Sequence, residues 1–476
     1  MVADDTIGCD VCVVGAGPAG VAAALRLVDI GRDVCILARA PSGENRRWES
    51  LTPGALRILN ALGLGAALAH AQYQLSHVAT VNWGGAVNRA DHAAANVLID
   101  RAFFDACLID AARRRGVRVL APAAAGRPQH IGNGWQVPIT AREAITSVHA
   151  THIIDASGRK ALTGGRRGRL SPVTLALCAH WRGRPEEHNV TRIEAAADSW
   201  LWSASFADGI RYATVFVDPR KLRVSGDTPT ETFLAAVSGS SLCWDGALAS
   251  TVTACDASAT CITRAPSMDG IIAVGEAAFS LDPLSSQGIQ RALVDGQQAA
   301  IVVNTLIAHP ERRDIALAFH AERQAEASDR DRSMCQSLYR EQAAFNPSPF
   351  WSRYCEPDTL PEHQPRPSLP IYGLRLETKL RLSPQVRLEE VAVVDGDVIA
   401  LAPALVHPNL DRPVAFLAGR SIGSLLARAS SGIAAGSLRA DWAADLLPEG
   451  EALKSIQWLW QRGLLIDNAA KDANDC

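Results

Sequence analysis

Residues 9–26 read Cys-Asp-Val-Cys-Val-Val-Gly-Ala-Gly-Pro-Ala-Gly-Val-Ala-Ala-Ala-Leu-Arg, and no other stretch constrains the fold as strongly. An apolar run of β type, Val11 to Val14, stops at a glycine, and an alanine-rich helical pattern starts directly afterwards. That order is strand, tight turn, helix. Gly15 permits the turn, Gly17 lets the backbone come close to a pyrophosphate, and Gly20 lets the helix pack near the strand. Unpaired N–H groups at the helix start, where Pro18 and Ala19 stand, then face the phosphates, and the helix dipole favours their charge. A glycine-rich turn with no ligand is the other reading of the same residues.

At 476 residues the chain is long enough for two or three domains. A hydrophobic content of 48% with 20% charged residues describes a folded globular protein. The net charge of −3 gives no reason to expect a nucleic-acid partner. The acidic start, Met-Val-Ala-Asp-Asp, has no apolar secretory core, and no apolar run is long enough to span a membrane, so a cytoplasmic location is expected. Eleven cysteines without regular spacing suggest buried thiols more than disulfides in such a compartment. Cys9 and Cys12 are three apart on a strand and so point to opposite faces, and no second pair follows at zinc-site spacing. No metal site is expected.

Residues 34–39 read as the second parallel strand. An acid at its end would hold a ribose hydroxyl, but Ala38 stands there and Arg39 follows. Arg39 either packs along an adenine or lies in solvent.

Arg46-Arg47-Trp48-Glu49-Ser50-Leu51-Thr52-Pro53 leads into a helical pattern over 55–64. Here the chain resembles the flavoprotein monooxygenases and flavin-dependent tryptophan halogenases, which carry a Gly-Glu-Ser/Ala-x-x-Pro element beside the flavin. Glu49, Ser50 and Pro53 match it, and Trp48 replaces the Gly. An N-capped helix with two solvated arginines is the alternative. Arg101, opening the next helix, matches the arginine with which this family reaches FAD. The basic run 113–115 followed by Gly116 is simpler helix-end chemistry. The strand ending in Asp155-Ala-Ser-Gly-Arg159 resembles the one with which these flavoproteins return to the cofactor.

Residues 166–262 lose the β-α rhythm, and the resemblance implies a separate sheet that roofs the flavin. Trp200 and Trp202 share a face of one strand, as pocket residues beside Trp48 or as buried packing. The stretch from Gly270 to Leu293 holds Gly275-Glu276 and Asp282-Pro283-Leu284-Ser285-Ser286-Gln287-Gly288-Ile289. It looks like the family segment that holds ribityl and isoalloxazine. Glu276 would accept ribityl hydroxyls, and the Gly288 and Ile289 amides would face the electron-rich edge of a reduced ring. FAD is the cofactor so implied, with NAD(P)H or a separate reductase as electron source and O₂ as co-substrate.

The expected fold is α/β. A Rossmann-like, glutathione-reductase-type FAD-binding domain spans 1–165 and 263–335, with an inserted antiparallel β-sheet substrate domain over 166–262. A proline-rich connector over 336–370 leads to a small α+β winged-helix-like module over 371–476, fit for peptide recognition or for a structural cap. In that module strands are expected at 386–394 and 398–405, and a helix at 451–461 with Leu453, Ile456 and Trp460 on one face.

Halogenases carry a lysine between flavin and substrate and a Pro-Leu-Glu-Ser-Thr-Gly motif. This chain has no lysine before Lys160, and its loop lacks both the Glu and the Thr. What the resemblance leaves is oxygen insertion through a flavin C4a-hydroperoxide, with Glu49, Ser285, Ser286 and Gln287 as catalytic candidates. The subgroup it most resembles hydroxylates tryptophan within a protein precursor during quinone-cofactor formation, as for cysteine tryptophylquinone in quinohemoprotein amine dehydrogenase. The expected partner is thus a tryptophan-containing peptide or protein. A small-molecule aromatic hydroxylase, a halogenase and a non-catalytic FAD-fold peptide-binding protein are the alternatives.

Overall fold

In the computed structural model, residues 6–39, 47–70, 73–141, 145–163, 166–183, 189–206, 208–240, 246–264, 270–355, 374–429 and 431–469 are described. Arg46, the prolines at 357, 361, 365, 367 and 370 and the acidic ends of the chain lie outside them. Two compact units are distinguished, one of 1–310 and 320–361, the other of 311–319 and 362–476.

The larger unit starts with strand β1 (Thr6–Val14), helix α1 (Pro18–Asp29) and strand β2 (Val34–Leu37). All four residues of β2 are buried, as are the last four of β1, which is the continuous apolar pattern of a parallel sheet covered on both faces. Gly15 has φ +113°, and a Cβ there would sit 2.2 Å from the Ala156 carbonyl oxygen. A Cβ on Gly20 would lie 2.0 Å from the Gly15 carbonyl oxygen, so α1 folds directly back onto the end of β1.

Strand β3 (Trp48–Leu51) is followed by helix α2 (Pro53–Ala61), capped by Thr52, whose hydroxyl accepts from the Ala55 amide. A long hairpin, β4 (Tyr73–Trp83) and β5 (Ala86–Asp100), runs into α3 (Arg101–Arg114), capped by Asp100. Strand β6 (Arg118–Leu120), β7 (Gly134–Ala141) and β8 (Ser147–Asp155) then complete most of the first sheet. Its order places β1 between β2 and β8, both parallel to it, with β6 beyond β2 and β7 antiparallel to β8.

The roof sheet is built on β9 (Leu175–Arg182), β10 (Val190–Ala195), β11 (Ser199–Ser205), β12 (Ile210–Val217) and β13 (Thr253–Asp256). It is not confined to residues 166–262. β10 pairs with β4, which brings β4, β5 and β3 into the same nine-stranded sheet. Long strands that cross between layers look like ordinary hairpin strands in a sequence, so periodicity does not place this boundary. β14 (Ile271–Ala273) returns to the first sheet beside β8, followed by α4 (Gly288–Ala308) and α5 (Arg313–Phe345). The segment read as the start of a connector is helical: α5 runs through Phe345 and a short helix covers Pro349–Ser352. Phe350, Trp351 and Tyr354 are buried with Trp83, Trp200, Phe216 and Tyr339 in one core, and that burial outweighs the prolines around it.

The smaller unit carries a three-stranded antiparallel sheet in which β15 (Lys379–Leu382) lies between two later strands, Ile433–Ala434 and Leu465–Asp467. A hairpin of β16 (Arg387–Asp395) and β17 (Val398–Val406) and three helices complete the winged-helix-like α+β arrangement. Helices α6 (Ile422–Leu426), α7 (Ala435–Asp445) and α8 (Glu449–Gln461) pack around Leu438, Trp442, Ile456 and Leu459. The buried stripe of α8 is Ala452, Ile456 and Leu459, with Trp460; Leu453 is half-buried at its edge.

Gly20→Val tests the fold-back of α1. With its Cβ already in collision with a main-chain carbonyl, valine is expected to destabilise the larger unit by about 3 kcal/mol or more. Thermal or urea denaturation would measure it.

Candidate active site

The carboxyl ends of β1, β8 and β14 face the roof sheet across a cavity of about 520 Å³. On the near side α1 opens at Gly17, with no side-chain cap and with Pro18 at its first position. A Cβ at Gly17 would meet nothing within 4 Å, nor would one at Gly158 or Gly288, and all three glycines line the cavity. Open backbone beside an uncapped helix N-terminus is the cradle a pyrophosphate needs, so these residues fit a dinucleotide.

Of the residues expected at the cofactor, Gly17, Pro18, Ala19, Arg47, Ser50, Arg101, Gly275, Glu276, Asp282, Pro283, Gly288 and Ile289 line this cavity. Gly15 and Gly20 shape the turn behind it. Arg39 lies exposed beyond the end of β2 and does not line it. Among the catalytic candidates Glu49 and Ser286 line the cavity, whereas Ser285 and Gln287 do not.

Glu49 accepts from Arg101 Nη1 at 2.9 Å, and the same guanidinium is held by Asp105 at 3.1 Å. Burial works against the Arg101 charge, but Glu49 and Asp105 outweigh it and raise its pKa. Arg101 is thus pinned between two carboxylates at the cavity wall, a geometry that fixes its fork. Glu276 pairs with Arg159 at 3.1 Å. Arg159 Nη1 also donates to the Ser258 carbonyl, which ties this corner of the cavity to the roof domain.

The roof follows from the pleat. Trp202, Thr214 and Cys178 are directly opposed on three neighbouring strands, and Trp200, Phe216 and Ala176 form the next row on the same face. All six line the cavity. Trp200 stacks on Phe216 with centroids 3.8 Å apart, and Trp48 lies 4.3 Å from Phe206. Cys178 is held below the ordinary thiol range, first by a hydrogen bond from Cys255, then by Tyr212 and Thr214, against the opposing effect of burial. By contrast burial pushes the Cys9 thiol up to about 12 and raises that of Cys12 as well, and both act as core residues.

The loop 282–288 separates the cavity from α5. Asp282 is buried; it caps the short turn by accepting from the Leu284 amide at 3.0 Å and takes the Tyr339 hydroxyl at 3.0 Å. Burial pushes its carboxyl up to about 6. Ser286 adopts φ +51°, a left-handed conformation that turns the chain into the start of α4. Behind the loop, fully buried Asp295 accepts from the Gly275 amide at 2.6 Å. Asp295, Tyr339, Cys178 and Thr214 are not legible as site residues in the sequence, because no spacing links them.

Residues 8–174 match the family model described as FAD binding domain. The chain is 27% identical over 306 residues to a protein of Marinomonas mediterranea described as an FAD-dependent oxidoreductase, LodB, which covers 60% of this chain and 81% of that one. A peptidyl tryptophan dihydroxylase, QhpG, essential for tryptophylquinone cofactor biogenesis, superposes with TM-score 0.73 and 26% identity over 96% of this chain and 100% of its own. Residues 8–174 thus form an FAD-binding domain, in a chain similar to flavin-dependent oxidoreductases. The flavin-dependent halogenase CmlS shares the fold, with TM-score 0.76 and 21% identity over 97% of each chain. Among the described residues no helix of this flavoenzyme is long and apolar enough to cross a membrane.

Gly17→Asp is expected to leave the fold intact, since the space is open, but to lower FAD affinity about 100-fold or more by setting a carboxylate against the phosphates. Flavin absorbance after gel filtration would show it. Asp282 gives a pH signature. Its folded pKa of about 6 exceeds the unfolded value, so the folded state holds the extra proton and loses relative stability as pH rises from 4 to 6. The unfolding free energy of Asp282→Asn minus that of the wild type is expected to rise by about 2 kcal/mol between pH 4 and pH 7.

Proposed function

We propose that this flavoenzyme hydroxylates a tryptophan side chain within a peptide or protein precursor, during maturation of a quinone cofactor. One observation carries the reading over halogenation: among the described residues no lysine lines the cavity, and the loop has Ser285 and Gln287 where a halogenase motif has its Glu and Thr. The likeness to a peptidyl tryptophan dihydroxylase along nearly the whole chain supports the peptide substrate.

FAD, reduced by NAD(P)H or a partner reductase, supplies the oxygen-activating chemistry when bound. The chain's own residues do the rest. The Gly17–Ala19 turn and the first amides of α1 bind the pyrophosphate, and Glu276 takes ribityl hydroxyls. Gly288 and Ile289 present amides at the start of α4, where negative charge on the ring edge is stabilised. Glu49 orients Arg101 beside Ser50, and Ser286 forms the wall on which the substrate approaches. Trp48, Trp200 and Trp202, with Phe216, make an apolar roof that excludes water and gives an aromatic substrate a stacking surface.

The test is mass spectrometry of a tryptophan-containing peptide after incubation with the enzyme, FAD, NADH, O₂ and bromide. A mass gain of oxygen alone is expected. A brominated product, or oxygen incorporated into free tryptophan but not the peptide, would overturn the proposal.

A further inference from the structure

A second cavity of about 490 Å³ lies in the larger unit, within the range of about 300–1,000 Å³ usual for ligand sites. Leu281 and Asp282 line both cavities, so the second adjoins the candidate active site along this stretch of chain. Five arginines line it, at 169, 220, 223, 332 and 353, against Asp218, Asp282 and Asp331. They come from the segment after Lys160, the short helix Pro219–Ser225, α5 and the turn after Pro349–Ser352.

Arg332 pairs with Asp329 at 3.5 Å, and the acids compensate this charge only in part. Asp218 is shared between Arg353 at 2.7 Å and Arg220 at 2.8 Å. Asp282 and Asp331 are buried, and burial raises both carboxyls. Arg169 and Arg223 are exposed at the cavity and make no ion pair among the described residues. No glycine lines the cavity, so it lacks the open backbone amides of a dinucleotide phosphate cradle. Separate guanidinium forks on four elements instead suit several carboxylates spaced along a chain.

We propose that this second cavity binds an acidic segment of the substrate polypeptide, with Arg169 and Arg223 at its mouth taking carboxylates that flank the oxidised residue. The assignment rests on the peptide-substrate reading above. Binding energy gathered there, remote from the reacting ring, would position one residue of a large substrate at the flavin cavity.

The experiment is fluorescence anisotropy at low salt with the full-length FAD-loaded enzyme and two labelled peptides. Each carries one tryptophan, flanked by glutamates in one and by glutamines in the other. The glutamate peptide is expected to bind about ten-fold tighter, and the gap to close in the double variant Arg169→Glu, Arg223→Glu. Binding of the glutamine peptide, FAD content and the rate of flavin reduction by NADH should stay unchanged. Equal affinity of the wild type for both peptides would overturn the assignment. So would a double variant whose reduction by NADPH fails while its preference for the glutamate peptide persists, because the cavity would then serve dinucleotide phosphates. If charge-dependent binding holds but no peptide is oxidised, the cavity assignment stands and the hydroxylase reading falls. If peptides are oxidised with no charge dependence, the reverse applies.

Discussion

The structure depends on how tightly the chain reverses at the end of β1. Gly15, Gly20 and the Ala156 carbonyl occupy one small volume, and a single methyl group on either glycine would collide with main-chain oxygen. The Ala156 amide donates to the Val14 carbonyl at 2.9 Å, and Asp155 collects Ser157 and Thr163, so the neighbouring strand end is equally fixed. With both strand ends rigid, the first turn of α1 is left open toward the cavity. That open turn presents helix-start amides that carry no side-chain cap.

A rigid cradle still needs a lid that keeps water away. The roof supplies it through pleat geometry: alternate residues of three adjacent strands turn Trp200, Trp202, Cys178, Thr214 and Phe216 to one face. Aromatic packing on the same face stiffens the sheet beside the cavity. Trp83 bonds through its indole N–H to the Leu338 carbonyl and meets Trp200 and Trp351 edge-on. α5 carries Tyr339 to Asp282, so the helix that joins this aromatic core also holds the loop between the two cavities. Roof, loop and helix are therefore coupled through one buried core.

The polar groups at the cavity are held in the same way. Arg101 is positioned by Glu49 and Asp105, and Gly275 by Asp295. Each puts a charged or amide group at a defined place without the ligand's help, which lowers the reorganisation required on binding. The charges differ between the cavities. The flavin cavity has its arginines paired with acids at the wall, while the neighbouring one keeps Arg169 and Arg223 uncommitted among the described residues.

The sequence by itself determined the local frame. Strand, turn and helix over 6–29, the capped starts at Thr52 and Asp100, and the return strand ending at Asp155 follow from period, glycine and cap, which act over a few residues. It also marked Glu49, Arg101, Glu276 and the 282–289 loop, because their motifs are contiguous. Only the tertiary structure decided that β3, β4 and β5 belong to the roof sheet, that the helix beyond residue 336 is core, that Cys178 and Thr214 line the cavity, and that Asp295 and Tyr339 hold Gly275 and Asp282 at its edge. Those relations join residues tens to hundreds of positions apart. They rest on strand pairing and burial, which leave no spacing in the chain to read.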